Sequence, residues 1–453
     1  MGGWLEERTG LPSALRRWCE RPIPGGARWS YSLGAALLAL LLVQVTTCIA
    51  LSLSYSPSAD TAHSSVQFIM EEAFLGQFIR SLHYHGTNFT VTFLILTAVR
   101  LVIARAYRKP REIQWLVAFA LGMLVLATAI TGYVLPWDQY GYWGTQVRTS
   151  IMGSGPVVGP RLKTFVLGGN ELGNLTLTRF YTAHALLLPA LFAVLLPVYF
   201  RLAARHGVPT PKGGAEPVVP YWPFQAARDN SFALLVLAAL FGVALLFPAR
   251  LGEVADPQVT YPARPEWYFL WLFQTLKYFK GPLEVVGTVV IPHAVAVVVA
   301  LLPFLDRGES WSGLGRRAVL GILALIVCGW ASLSALALWE DLKSGHFAEL
   351  ALWEATPDEG WDVEGCYKEK CAKCHGRDGA GYLDSTPDFT LPEYWKGARS
   401  DVRLIKAILK GIPNENIPED ERMPAFEKEL TPGQAKAMVV WKLRPFGEAS
   451  EKE

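Results

Sequence analysis

The sequence predicts an all-α protein: a polytopic membrane helix bundle followed by a small α-helical domain. Apolar residues make up 51% of the 453 residues and charged residues only 18%, a balance typical of membrane proteins. Apolar runs of about 20 residues or more recur along the chain, and each is long enough to cross a bilayer. From about residue 355 the composition shifts to Lys, Glu, Asp and Pro, so a separate water-exposed domain is expected there.

The apolar runs divide the chain into predicted segments. We expect seven spanning helices, at about residues 31–53, 75–104, 113–134, 180–204, 231–250, 284–304 and 316–339. They group into an N-terminal segment, a four-helix domain, a three-helix domain and the C-terminal domain, at residues 1–30, 31–210, 211–340 and 355–447.

The loops predict the orientation of the bundle. Lysine and arginine concentrate in the N-terminal segment and in the loops after the second, fourth and sixth predicted spans, whereas the loop 54–72 contains neither. By the positive-inside rule the N-terminus is cytoplasmic. Seven crossings then place everything after Glu340 on the outer face, and we expect a multi-pass protein of a bacterial inner (plasma) membrane.

Two of the predicted spans carry a matched pair of polar residues near their outer ends. Arg80 and His83 open the second span, and Arg179 and His184 open the fourth. Histidines on two neighbouring helices at one depth can bind the two axial positions of one haem iron, and the arginines can pair with the haem propionates. The alternative is that each histidine is a hydrogen-bonded polar residue of the helix bundle.

The loop between the fifth and sixth predicted spans contains the tetrad Pro265, Glu266, Trp267 and Tyr268. A glutamate between aromatic residues at the membrane edge is suited to accept a proton from a quinol hydroxyl. Taken alone, the tetrad is more typical of an interfacial turn. His293, in the middle of the sixth predicted span, is either a proton relay near that site or a structural hydrogen-bonding residue.

The C-terminal segment contains Cys371, Cys374 and His375 in the pattern Cys-Ala-Lys-Cys-His, which indicates covalent attachment of a c-type haem with His375 on the iron. A zinc site would need a second ligand pair, and a redox Cys-x-x-Cys motif does not account for the adjacent histidine. Met423 offers a thioether for the sixth iron position, which would raise the haem potential. A helix from Thr431 to Arg444 is expected to close the domain, with Thr431 as its N-cap.

The stretches GYVLPWDQYGYW, TLTRFYTAH, KPRE and PEWYFL together resemble cytochrome b of the quinol-oxidising cytochrome bc family. The resemblance covers about residues 30–340 and is similar to the chloroplast-type branch with its two subunits joined; the tail resembles a class I cytochrome c. It implies an outer, low-potential b haem on His83 and His184, with Arg80, Arg179 and Gly132 around it. It also implies a quinol-oxidation site at 265–268 and a separate Rieske iron–sulfur protein as electron acceptor.

The chain departs from that family at the inner-side haem. The family carries a second histidine about two heptads along each haem-binding helix, but this chain has Thr97 on one helix and Val198 and Tyr199 on the other. Ala118 stands where the family has the inner-haem glycine. We therefore expect one b haem, on the outer side. Arg100, which the family uses near the inner haem, is present, and Tyr199 is a conceivable though unconventional iron ligand.

Two further departures concern single positions. Ser32 stands where the chloroplast branch has a cysteine for an extra haem, so that cofactor is not expected, and Cys48 replaces a glycine that faces the outer haem.

These features predict a quinol:cytochrome c oxidoreductase subunit. Quinol would give a proton to Glu266, assisted by Tyr268, and electrons would pass to the b haem and, through the Rieske partner and the fused c haem, to a soluble periplasmic acceptor. The resemblance implies a dimeric complex in membrane lipid, and no nucleic-acid partner is expected. The alternative is a membrane-anchored di-haem electron conduit without its own quinol oxidation.

Overall fold

The computed structural model describes residues 2–209, 212, 214, 216–257, 261–307, 313–353, 355–382, 386–395, 401–412 and 422–446. The chain forms two compact units. The first comprises Met1–Leu251 with Arg264–Leu336, and the second comprises Gly252–Ala263 with Ala337–Glu453. The finer division into segments at residues 30, 210 and 340 stays a prediction.

Helices dominate the first unit. In chain order they are α1 (Gly2–Thr9), α2 (Leu11–Glu20), α3 (Leu33–Ser52), α4 (Ala62–Glu71), α5 (Gly76–Ile103), α6 (Glu112–Gly132), α7 (Gln139–Gly153), α8 (Gly159–Leu167), α9 (Asn174–Thr182), α10 (Leu188–His206), α11 (Ala226–Leu246), α12 (Leu270–Leu276), α13 (Ile291–Ala300), α14 (Leu302–Leu305) and α15 (Leu314–Lys343). Two short strands, β1 (Pro22–Pro24) and β2 (Val218–Pro220), pair antiparallel with Ile23 opposite Val219.

Six of the seven predicted spans are helices that are long and apolar enough to cross a membrane. They comprise α3, α5, α6, the continuous pair α9–α10, α11 and α15. The pair α9–α10 is joined without a break by a π-helical turn, Ala183–Leu187. The all-α membrane architecture predicted from the sequence is therefore confirmed.

The sixth predicted span, 284–304, differs from the prediction. The structure has a shorter apolar helical segment there, Val286–Ala300, and the four-residue α14 follows it. At ~1.5 Å per residue the segment Val286–Ala300 covers about 22 Å, and with α14 the helical stretch reaches Leu305 and about 30 Å, the thickness of the hydrocarbon core of a bilayer. Pro303 explains the interruption, since it stands in the first turn of α14 after the break at Leu301, and proline favours the first turn of a helix over its interior.

The core that positions the outer site lies between α3, α5 and α11. Side chains from the three helices are buried together there: Ala36, Leu40, Leu82, Val236, Leu240 and Ala244. Small residues in this cluster allow close approach of the helices, which is how membrane helices gain packing energy. His83 directly follows one of these anchors, so the packing fixes its depth and direction.

A buried ionic cluster ties the end of α5 to the loop before α15. The Asp306 carboxylate accepts from Arg105 at 3.3 Å, from Arg316 at 3.1 Å and from the Tyr107 hydroxyl at 2.6 Å. All four side chains are buried. Because a buried carboxylate is stable only when it is paired and hydrogen-bonded, this cluster holds the two segments in one arrangement.

The described helices of the second unit are short. They are α16 (His346–Trp353), α17 (Val363–Cys366), α18 (Ala372–His375), α19 (Pro392–Trp395), α20 (Asp401–Lys410) and α21 (Pro432–Met438). Thr431 caps α21 and accepts a hydrogen bond from the Gln434 amide at 3.2 Å, with Pro432 at the first helical position. A π-helical turn, Val439–Leu443, extends α21, so the predicted closing helix and its N-cap are confirmed.

Candidate haem and quinol sites

The structure brings the rings of His83 and His184 next to each other. His83 lies on α5 and His184 in the π-helical turn between α9 and α10, and their ring centroids are 5.9 Å apart with an interplanar angle of 76°. The extra residue of a π-turn redirects side chains locally and is frequent at functional sites. Two helices that are distant in sequence therefore present their imidazoles to each other.

A threonine on the neighbouring helix α3 orients the His83 ring. His83 Nδ1 lies 2.9 Å from Thr47 Oγ1, and the Thr47 hydroxyl itself donates to the Val43 carbonyl at 2.7 Å. Because the hydroxyl proton is used in that bond, Thr47 accepts from an Nδ1–H on His83. The lone pair of the imidazole is then on Nε2, the atom left for a metal.

The His184 ring is held in the same way from α6. Its Nδ1 lies 2.9 Å from the Thr128 carbonyl, which can only accept, so this nitrogen carries the proton. The ring packs against Gly132, where an added Cβ would lie 2.5 Å from His184 Cε1. A hydrogen-bonded Nδ1–H on each ring is the arrangement that orients metal-binding histidines.

These residues fit a haem iron held between two imidazoles. A metal–imidazole bond is about 2 Å long and the ring centroid lies ~1 Å farther out, so two imidazoles that share one iron would have centroids about 6 Å apart. The observed separation of 5.9 Å agrees. The donor set is also right, because two neutral imidazoles with free Nε2 atoms are the ligands that a b-type haem requires.

The two arginines predicted to attend this haem lie at the same end of the bundle but have protein partners. Arg80 donates to the carbonyls of Ala249 and Arg250, at 2.9 and 3.0 Å. Arg179 lies over the Phe165 ring, 5.3 Å from its centroid. Their pairing with propionates stays a prediction.

The opposite half of the bundle holds no comparable histidine pair in the described chain. The Tyr199 hydroxyl is hydrogen-bonded to the Gln114 side chain, and Thr97 Oγ1 is buried without a hydrogen-bond partner among the described residues. Val198 is exposed on α10, and the Arg100 guanidinium lies over Tyr31 at 4.7 Å. The absence of ligands for an inner-side haem, expected from the sequence, stays a prediction.

The tetrad 265–268 forms a second polar site. Glu266 precedes a 3₁₀ turn, Trp267–Phe269, and its carboxyl is hydrogen-bonded to the Tyr140 side chain. Burial raises the pKa of Glu266, and the Arg148 cation and the Tyr140 hydrogen bond oppose that shift. A partly buried carboxyl with a raised pKa is suited to exchange protons.

The aromatic residues of the tetrad fix its position. Trp267 Nε1 donates to Asn88 Oδ1 on α5 at 3.0 Å, and the Tyr268 carbonyl accepts from Trp330 on α15 at 3.4 Å. Tyr268 is buried, and burial raises the pKa of its hydroxyl. The tetrad is therefore anchored by hydrogen bonds to α5 and α15; we call it the tetrad wall.

Sequence reasoning missed the residues that face this wall from α7. Asp138 starts that helix by accepting from the Gly141 amide at 2.8 Å, and the helix carries Tyr140 and Arg148 toward Glu266. The signal available was spacing, because Tyr140, Gly144 and Arg148 are four residues apart and so share one helix face. The Arg148 guanidinium stacks on Tyr133, 3.8 Å from the ring centroid.

Three other residues discussed in the sequence analysis make local contacts only. His293 is exposed, with Nδ1 2.7 Å from the carbonyl of Val289 in its own helical segment. Ser32 is buried and accepts from Gln225 at 3.3 Å. Cys48 is partly buried and hydrogen-bonded to Ser52.

In the second unit the three residues of the Cys-x-x-Cys-His motif lie on successive turns, the π-helical turn Tyr367–Cys371 and α18. Burial raises the pKa of the Cys371 thiol to about 12. The two thiols and the adjacent imidazole fit covalent haem attachment.

The His375 ring stacks on the buried Phe389, with centroids 5.0 Å apart and an interplanar angle of 29°. Burial lowers the pKa of His375, while the Pro387 backbone acts in the opposite direction. The neutral imidazole that binds iron is thereby favoured. Met423 lies beside the end of α20, where its carbonyl accepts from the Ile412 amide at 3.2 Å. Its role as sixth ligand stays a prediction.

Three family models match the chain. "Cytochrome b/b6/petB" matches residues 19–207, "Cytochrome b(C-terminal)/b6/petD" matches 254–342, and "Cytochrome C oxidase, cbb3-type, subunit III" matches 359–441. The first two cover both halves of the membrane bundle, and the third covers the segment with the Cys-x-x-Cys-His motif.

Individual relatives agree with these matches. The chain is 31% identical to cytochrome b of Rhodobacter capsulatus in an alignment of 346 positions that covers 69% of this chain and 78% of that protein. It is 30% identical to cytochrome b of Cereibacter sphaeroides in an alignment of 342 positions that covers 68% of this chain and 76% of that protein.

A solved structure described as "Hyperthermophilic respiratory Complex III" superposes with a TM-score of 0.66 at 26% identity, covering 75% of this chain and 91% of the solved chain. The likeness thus extends from sequence to fold. The chain belongs to the cytochrome b family, as an integral-membrane, haem-binding electron-transfer subunit that carries a cytochrome c domain at its C-terminus.

Proposed function

We propose that this protein is the quinol-oxidising subunit of a bc-type quinol:cytochrome c oxidoreductase. The observation that carries the proposal is the partly buried Glu266 carboxyl, which is flanked by Trp267 and Tyr268 and hydrogen-bonded by Tyr140. Quinol oxidation must remove protons from a substrate dissolved in the membrane, and a partly buried carboxylate at the end of the spans can receive them. Glu266 accepts the proton, and Tyr268 and Trp267 shape the pocket.

The proposal assigns one b haem to the chain, on the predicted outer side, held by His83 and His184. When bound, this haem supplies a one-electron acceptor close to the quinol pocket. The support is the histidine pair itself, together with Thr97, Val198 and Tyr199 in place of inner ligands. A chain with one b haem does not run a standard Q cycle, because that cycle needs a second haem to pass electrons across the membrane.

The c haem would be bound covalently through Cys371 and Cys374, with His375 and Met423 on the iron. The segment lies outside the cytoplasm in the proposed topology, with the N-terminus cytoplasmic and the protein in a bacterial inner membrane. We further propose a Rieske-type iron–sulfur subunit as first electron acceptor, a soluble periplasmic carrier as the final one, and a dimeric complex. The likeness to a chain of a respiratory Complex III supports this assembly.

Replacement of Glu266 tests the proposal. In Glu266→Gln, the rate of c-haem reduction by an added short-chain quinol should fall on the order of 10²-fold or more, because the amide cannot accept a proton. The matched control is Glu284→Gln, an exposed glutamate farther along the chain. A full rate in Glu266→Gln would contradict quinol oxidation here and favour the alternative, a di-haem conduit fed by another complex.

A further inference from the structure

One cation in the proposed quinol pocket has no assigned part in the chemistry. Arg148 lies on α7, and its Nη1 atom is buried without a hydrogen-bond partner among the residues that the structure describes. A guanidinium is always charged, and an unsatisfied buried donor is costly. An open buried donor beside a proposed binding site is suited to receive a ligand atom.

The neighbouring residues fix the orientation of this guanidinium. Its Cζ atom lies 3.8 Å from the centroid of the Tyr133 ring, a cation–π contact that fixes the plane of the group. Gly144 makes the stack possible, because a Cβ there would lie 2.8 Å from Tyr133 Cε1 and 3.5 Å from Arg148 Nη2. The Tyr133 hydroxyl in turn donates to the Arg264 carbonyl at 3.3 Å, which ties the stack to the chain just before the tetrad.

The titratable groups around this cation form one electrostatic cluster. The phenols of Tyr133, Tyr140 and Tyr268 interact electrostatically with both Glu266 and Arg148. Tyr84 joins the cluster through its interactions with Tyr140 and Tyr268. The rings of Tyr133 and Tyr140 are 4.6 Å apart. Within this described cluster Glu266 supplies the carboxyl and Arg148 the cation, so the charge of Arg148 acts mainly on the carboxylate and on any anion bound beside it.

We propose that Arg148 is the anion-stabilising residue of the quinol pocket: its unpaired Nη1 donates to the quinol oxygen that gives up its proton. In this step the quinol O–H bond breaks, the proton passes to a Glu266 carboxylate oxygen, and the electron pair stays on the quinol oxygen as an anion facing Arg148. The inference rests on the proposed function of Glu266. It adds a second partner, which holds the product of the proton transfer.

The same cation keeps Glu266 competent as a base. Arg148 lowers the pKa of Glu266 against the effect of burial, so removing the charge raises that pKa. Since the carboxylate form is the acceptor, the acidic limb of the rate profile should then move to higher pH. Loss of a preorganised donor to a developing oxyanion costs on the order of 10²-fold in rate.

The test compares Arg148→Gln and Arg148→Lys in the full complex, with a short-chain ubiquinol and a short-chain menaquinol as probes. In Arg148→Gln we expect kcat/KM to fall on the order of 10²-fold and the acidic limb to move up. In Arg148→Lys the charge remains, so the acidic limb should stay while KM rises, because lysine lacks the planar fork. Arg161→Gln, an exposed arginine on α8, is the control that should leave both unchanged.

The outcomes separate this inference from the proposed function. A parental KM and pH profile in Arg148→Gln, alongside a slowed Glu266→Gln, would overturn the role of Arg148 alone. A full rate in Glu266→Gln would overturn both. If Arg148→Gln misassembles and loses the b-haem absorbance, the Arg148→Lys variant provides the test. An unchanged acidic limb with a raised KM in that variant supports the role of Arg148 in stabilising the quinol anion. A parental KM overturns that role.

Discussion

The backbone of Gly132 and the imidazole of His184 are in such close contact that a single methyl group between them would not fit. A Cβ on Gly132 would lie 2.5 Å from His184 Cε1 and 3.0 Å from Nδ1. The glycine thus decides where the second imidazole stands and whether its Nδ1 can reach the Thr128 carbonyl. It connects the end of one helix to the proposed iron site.

The Gly132→Ala variant should therefore lose b haem while keeping c haem. The added methyl displaces the imidazole, and a ligand moved by even a fraction of an ångström no longer faces His83 correctly. The measurement is the b-to-c haem ratio of the purified protein. Gly122→Ala on the same helix is the matched control, because its Cβ would meet only Leu94 at 3.5 Å, an ordinary contact. Equal haem content in the two variants would show that Gly132 is not critical.

The Thr47→Val variant tests how the His83 ring is oriented. Valine keeps the shape but removes the acceptor at 2.9 Å from Nδ1, so the ligand becomes less electron-donating and the b-haem midpoint potential should rise. One hydrogen bond of about 1 kcal/mol corresponds to a shift on the order of 40 mV for one electron. Redox titration with Thr46→Val, an exposed neighbour, supplies the reference. An unchanged potential in Thr47→Val would count against iron ligation by His83.

Much of the fold follows from the sequence because membrane helices obey simple length and polarity rules. The predicted run 75–104 and the observed α5, Gly76–Ile103, differ by one residue at each end. The rule failed at 284–304, where the composition remained apolar but the helix ends at Ala300 and α14 begins anew with Pro303 in its first turn. A hydropathy average does not register a single proline, whereas a proline inside a helix removes a backbone hydrogen bond and breaks or kinks the helix.

The sites could be predicted only in part, for a different physical reason. His83 and His184 stand out because a histidine in an apolar run is costly and so needs a purpose. Thr47 and the Thr128 carbonyl carry no such signal, because threonines and carbonyls are common in any helix. Their importance arises from contacts between helices, which the amino-acid sequence does not show.

The Met423→His variant tests the sixth ligand of the c haem. If Met423 binds the iron, replacing a thioether by an imidazole should lower the c-haem midpoint potential by on the order of 0.1 V or more, since axial ligands set haem potentials over a range of about 0.8 V. Met423→Leu should instead leave the iron open to added imidazole or cyanide. The potential of the b haem in the same preparation is the internal reference. A c-haem potential unmoved in both variants would exclude Met423 as a ligand.

The number of b haems tests the central claim most directly, because the whole account depends on one iron held by His83 and His184 and on none in the inner half. Pyridine haemochrome analysis of the purified full-length protein separates b from c haem by absorbance and gives their ratio. We expect one b haem per c haem, and His184→Ala should remove the b haem entirely. Two b haems per c haem would contradict the account.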